Sequence, residues 1–206
     1  YHGEQSWTWE HMAMTRARIF ASPDPLRQSI EESLRRTLTR ERDPDTLLAD
    51  VAAMRERMAK EHTGKSIWDT KHLRGGLVDI EFIAQYLMLR HAASDPTVLS
   101  PNTADALARL GRANYLDADT HYALQDALGL WQRLQGVLRL TCEGDFDESR
   151  ATAGQRDLLI RAGLVEEFDA LKNRIRETAS IAHAVFDRLI AEPAVPIRAA
   201  QSDMTK

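Results

Sequence analysis

The chain has 206 residues, 43% of them hydrophobic, with 27 Lys and Arg against 31 Asp and Glu for a formal net charge of −4. That length holds one large domain with a real core, and the mild acidity supplies no overall attraction to nucleic acid or to an anionic membrane surface. The single cysteine, Cys142, excludes an internal disulfide and any multi-cysteine zinc site. No apolar run approaches the roughly 20 residues of a membrane span and no signal peptide opens the chain, so the expectation is a cytoplasmic protein without nucleic-acid or membrane partners. Because it begins at Tyr1 and not at Met, the chain reads as a piece of a longer protein.

Helical periodicity runs almost throughout. A first helix is expected from Glu4 to Phe20, ending before Pro23 and Pro25, which forbid continuation. Leu26, Ile30, Leu34 and Leu38 recur every four residues and mark a second helix ending near Arg42. Pro44 stands where a first-turn proline belongs, and Leu47, Leu48, Val51, Met54 and Met58 carry a third helix to about His62. Thr63 to Gly76 reads as a loop. From Leu77 to about Ala93 the chain is apolar on almost every face, so this helix must be central and surrounded.

Asp95-Pro96 closes that helix, and Ser100 or Asn102 can cap a shorter one to about Asn114. A long helix is expected from Asp117 to Thr141, and Glu143 to Arg150 reads as a solvated acidic loop. A short helix from Ala153 to Ala162 ends at Gly163, and a last long one runs from Val165 to Ala191. Beyond Glu192 the periodicity is lost. The fold expected is all-α, an irregular bundle of about eight helices without a sheet, formed by residues 1–192 with a flexible tail at 193–206.

The segment Lys71-x-x-Arg74-Gly75-Gly76-Leu77-Val78-Asp79-Ile80-Glu81-Phe82 places a basic loop and two glycines before two acids at the start of the buried helix. Paired glycines admit close backbone approach to a ligand, and free amides at a helix start suit a phosphate. Asp79 and Glu81 are two apart, so they point roughly 200° away from each other and do not chelate one ion together. They equally suit a plain role, complementing the helix dipole and capping free amides.

Upstream, Trp7-Thr8-Trp9-Glu10-His11 precedes Arg16 and Arg18: tryptophans for stacking and arginines for phosphates, or core and surface residues with no ligand at all. The seven histidines, at positions 2, 11, 62, 72, 91, 121 and 183, form no i, i+4 pair, and the 143–148 loop lacks the ligand spacing of an EF-hand, so no metal site is assigned.

Together, Trp7 to His11 with Thr15-Arg16-Ala17-Arg18 and the Arg74 to Leu87 string resemble glutamine synthetase adenylyltransferase over nearly the whole chain, weakening after Leu140. The resemblance implies a bifunctional enzyme with two nucleotidyltransferase modules, each followed by a helical bundle. One module removes AMP from a glutamine synthetase tyrosine, and the other adds it from ATP with Mg²⁺. Val78-Asp79 is similar to the adenylylating, C-terminal half.

The family's Gly-Ser…Asp-x-Asp motif on a mixed sheet is absent here, which implies that the catalytic residues lie on an upstream module and that this piece alone is inactive. By that reading Glu10, Arg16, Arg18, Lys71, Arg74, Gly75, Gly76, Asp79 and Glu81 support the nucleotide site, with glutamine synthetase and the PII signal protein as partners. The alternative is a non-catalytic docking or regulatory bundle that binds PII, glutamine or glutamine synthetase. A third reading is the equivalent helical part of the related PII uridylyltransferase, against which the Trp-Thr-Trp-Glu string argues.

Overall fold

The computed structural model describes residues 7–62, 64 and 66–204. His2 and the expected helix start at Glu4 lie outside them. The helices are α1 (Thr8–Met14), α2 (Asp24–Leu38), α3 (Pro44–Glu61), α4 (Leu77–His91), α5 (Thr103–Arg112), α6 (Ala118–Thr141), α7 (Ala153–Ala162), α8 (Phe168–Phe186) and α9 (Glu192–Met204). A π turn at Asp187–Ala191 joins α8 to α9 as one continuous rod. No strand occurs among the described residues, so the all-α bundle holds.

Helix starts follow local chemistry. The carboxylates of Asp43 and Asp117 accept from the amides of Thr46 and Thr120, at 2.7 and 2.8 Å, opening α3 and α6. Asn102 does the same for α5, and Thr152 with Gln155 forms a capping box on α7. Two helices end earlier than expected. At the end of α1 the Thr15 hydroxyl donates to the Met12 carbonyl and tightens the last turn. At the end of α2 the Arg42 guanidinium folds back to donate to the carbonyls of Thr37 and Leu38. Burial and nearby Arg40 pull that guanidinium down to about 10.

α4 is the axis of the molecule, with twelve of its fifteen residues buried. It packs against α1, α3, α5, α6 and α8, which explains why apolar residues occupy its whole circumference. α6, at 24 residues about 36 Å long, carries the fully buried Trp131 into the same core.

The segment expected to fray from Pro193 is helical and lies along α3, with Ala194 buried, Ile197 on the core and Arg198 paired to Glu56 at 2.8 Å. Pro193 has no N–H to bond back, and the helix is already opened into the wider π turn just before it. Ile190 in that turn and Ala194 just after it are both buried.

Candidate functional site

The Lys71 to Glu81 segment is built around Gly75. This residue has φ +77°, a conformation in which L side chains are strained, and a Cβ placed on it would lie 1.8 Å from the Ala179 carbonyl oxygen of α8. Its N–H donates to Asp79 Oδ2, and its carbonyl accepts from Trp131 Nε1 at 3.0 Å. Asp79 is fully buried, and its Oδ1 accepts from Nε of Arg55, itself 2% exposed. The Arg55 Nη2 atom is buried with no partner. Gly76 approaches the carbonyls of Thr70 and Leu73 too closely for a Cβ.

The amides of Gly76, Leu77 and Val78 donate to Leu73, Thr70 and Lys71, at 2.8, 2.9 and 3.2 Å. The glycines therefore admit close approach of the bundle's own backbone, and the amides that suit a phosphate are occupied by carbonyls of the same turn. What the segment presents outward is its side chains, since Lys71 and Arg74 are exposed.

Glu81 faces away from Asp79, as a two-residue step on a helix requires, and pairs with Arg16 at 2.8 Å. Glu10 accepts from the Trp7 amide at 2.9 Å, and the Thr8 hydroxyl reaches Asp50 on α3. α1 is thus tied to both α3 and α4, with Trp7 71% and Trp9 52% exposed. Arg18 lies beyond the helix and is exposed. Arg16 and Glu81 come together; Arg74 lies instead within electrostatic range of Glu56 on α3.

Lys71 lines a cleft of about 530 Å³ between the end of α3, the 66–72 turns, the second half of α6 and the 144–146 loop. The rings of His62 and His72 meet there at 4.5 Å. Burial pushes the His72 pKa down, opposed by Asp69 and reinforced by Lys71, His62 and Arg55. The acidic loop is less free than its composition implies. Phe146 sets its edge on Trp68, which stacks on Phe168, and Glu148 pairs with Lys172 at 2.9 Å.

Three Asp-x-Asp strings occur in the chain, and in each one carboxylate caps a helix or turn: Asp43, Asp117 and Asp147. Hydrogen bonds from Thr46, Thr120 and Ser149 hold these three carboxyls below the usual carboxylate range. Among the described residues no group of three or more His, Cys, Asp or Glu side chains is placed to hold a metal. No described helix is long and apolar enough to cross a membrane.

Arg55 and Trp131 escaped the sequence reading. Arg55 follows Leu48 by seven and Val51 by four, so a charge within an apolar stripe was the available signal. Trp131 stands seven residues after Leu124 and three before Leu134, the spacing of a core residue, which carries no signal of its bond to Gly75.

The sequence is 42% identical over 193 residues to the bifunctional glutamine synthetase adenylyltransferase/adenylyl-removing enzyme of Rhodopseudomonas palustris, a match covering 92% of this chain and 19% of that protein. The chain belongs to the glutamine synthetase adenylyltransferase family. The enzymes of the same name from Bradyrhizobium sp. (strain BTAi1) and Xanthobacter autotrophicus are 40% and 36% identical, over 93% and 92% of the chain. The family model described as GlnD PII-uridylyltransferase matches residues 45–190, that is α3 to the π turn, leaving α1, α2 and α9 outside the match. The chain spans about a fifth of the length of the curated adenylyltransferases it matches.

Proposed function

We propose that this chain is the helical part of a glutamine synthetase adenylyltransferase and supports ATP-dependent adenylylation of a glutamine synthetase tyrosine, with the reacting groups supplied by a nucleotidyltransferase module elsewhere on the longer protein. The observation that carries the reading is the 42% identity over almost all of a chain whose Asp-x-Asp strings are used as caps. Attack of the tyrosine oxygen on the α-phosphorus of ATP releases pyrophosphate, and much of its catalysis is positioning. This chain offers two things to that step. The α1 surface, with Trp7 and Trp9 exposed and anchored through Arg16–Glu81, is a face for the catalytic module. Lys71 and Arg74 are cations for the nucleotide phosphates, held on a turn fixed from beneath. Mg²⁺ belongs to the module that carries the metal carboxylates, and no step on this chain runs through it.

The test is transfer of labelled AMP from ATP to glutamine synthetase by this chain alone and by the full-length protein. Transfer only by the full-length protein is the expected result. Transfer by the chain alone would overturn the assignment of the reacting groups to another module. A second reading, a docking bundle for PII, glutamine synthetase or glutamine, is favoured by α2, whose stripe is half open with Leu26 54% exposed. Leu26→Ser in the full-length protein separates the two: under the docking reading it weakens capture of PII or glutamine synthetase, measured by titration calorimetry, and under the first reading it leaves both unchanged.

A further inference from the structure

Gly75 is clamped on three sides. Asp79 holds its N–H, Trp131 holds its carbonyl, and the Ala179 backbone fills the space where a side chain would stand. The two partners come from different helices, and Asp79 is in turn held by Arg55 from a third, so α3, α4, α6 and α8 all converge on one residue. Four residues before it stands Lys71 and one before it Arg74, both exposed, on a stretch held by turn bonds, Leu73 N–H to Asp69 and Gly76 N–H to Leu73, and by the amides of Leu77 and Val78 at the start of α4, which donate to Thr70 and Lys71.

A buried ion pair is a poor way to gain stability, because desolvation of the two charges offsets their attraction and an apolar pair of similar volume often serves as well or better. Its use here, under a turn that carries two exposed cations, fits a need for one backbone orientation. We infer that Arg55 and Trp131 are positioning residues for the proposed nucleotide contact: Arg55 through Asp79, and Trp131 through the Gly75 carbonyl, set the direction in which Lys71 and Arg74 leave the turn. The inference rests on the proposed reading that these two cations meet the phosphates of ATP.

The experiment uses the full-length protein with Trp131→Phe, which keeps an aromatic ring in the core and removes the Nε1–H donor, and with Arg55→Lys, which keeps the charge and changes the geometry. Two readouts are needed: hydrogen exchange of the amides at 70–78 by mass spectrometry, and kcat and KM for ATP in AMP transfer. Loss of one buried hydrogen bond corresponds to about a fivefold effect. Trp131→Phe is expected to speed exchange at 70–78 about fivefold and to raise KM for ATP about as much, with kcat changed less than twofold. Adding Lys71→Ala to Trp131→Phe is expected to raise KM less than the product of the single effects, since both act on one contact.

Unchanged exchange at 70–78, or a KM that multiplies independently in the double variant, overturns the positioning role. If Lys71→Ala and Arg74→Ala each leave KM for ATP unchanged, the nucleotide reading itself fails. A faster exchange in Trp131→Phe would then show that the clamp exists without serving ATP.

Discussion

Replacing Gly75 by alanine tests the geometry of the clamp directly. The new Cβ would stand 1.8 Å from the Ala179 carbonyl oxygen and 2.7 Å from its carbonyl carbon, so the turn and α8 must separate by about 1.2 Å to reach the closest tolerable contact. The obstacle is helix backbone, which does not swing aside like a flexible side chain. Forcing a Cβ into the left-handed region costs about 1–2 kcal/mol, and overpacking against a fixed neighbour adds about 1–3 kcal/mol. Displacement also stretches the bonds to Asp79 and Trp131.

A total loss of about 2–5 kcal/mol lowers the melting temperature of a domain this size by about 4–20 °C. Gly136→Ala is the control, since a Cβ there meets nothing within 4 Å and the residue is exposed inside α6. It should raise stability by about 1 kcal/mol through helix propensity, or about 2–4 °C. Thermal melting followed by circular dichroism at 222 nm measures both. A Gly75→Ala protein that melts within 2 °C of the parent would refute the close packing of this turn on α8 and with it the account of the clamp.

Arg55→Met leaves Asp79 as an unpaired buried charge and should cost about 3–5 kcal/mol in urea unfolding, whereas Arg55→Met with Asp79→Leu should recover much of that loss; no recovery would mean the two side chains are not energetically paired. Acidification should destabilise the fold below about pH 6.5, the unfolded value for histidine. Burial, with Arg90 assisting and Asp95 opposing, lowers the pKa of His91 in its stack on Tyr115, so the unfolded chain binds the proton first. Stability present above that pH is then lost as pH falls toward the folded pKa. His91→Phe should flatten the melting curve between pH 7.5 and 5.5, and an unchanged slope would assign the effect elsewhere. Removal of residues 193–206 should lower the melting temperature by several degrees, because it uncovers the α3 face under Ala194 and Ile197; an unaffected melt would mean that α9 contributes nothing to the core.

What could be read along the chain was what neighbours in sequence decide. Pro44 and the start of α6 after Asp117, the bounds of α7 from Ala153 to Ala162, and the all-round burial of α4 follow from caps, prolines and periodicity, which act within a turn or two. The opposite directions of Asp79 and Glu81 were legible for the same reason, being a matter of helix pitch.

Their roles were not. An acid in a first helical turn serves the dipole in any helix, and only the approach of Arg55, 24 residues earlier, makes Asp79 the centre of a buried ion pair. Gly75 shows the same division. Its spacing announced a close approach, but the partner is Ala179, which tertiary packing alone brings to it. The last helix also depends on contact, because prolines erase its local signal and the surface of α3 supplies what propensity does not. Short-range sterics and hydrogen bonding thus wrote the helices into the sequence, while burial and long-range pairing, which depend on where those helices meet, decided what Gly75 and Asp79 do.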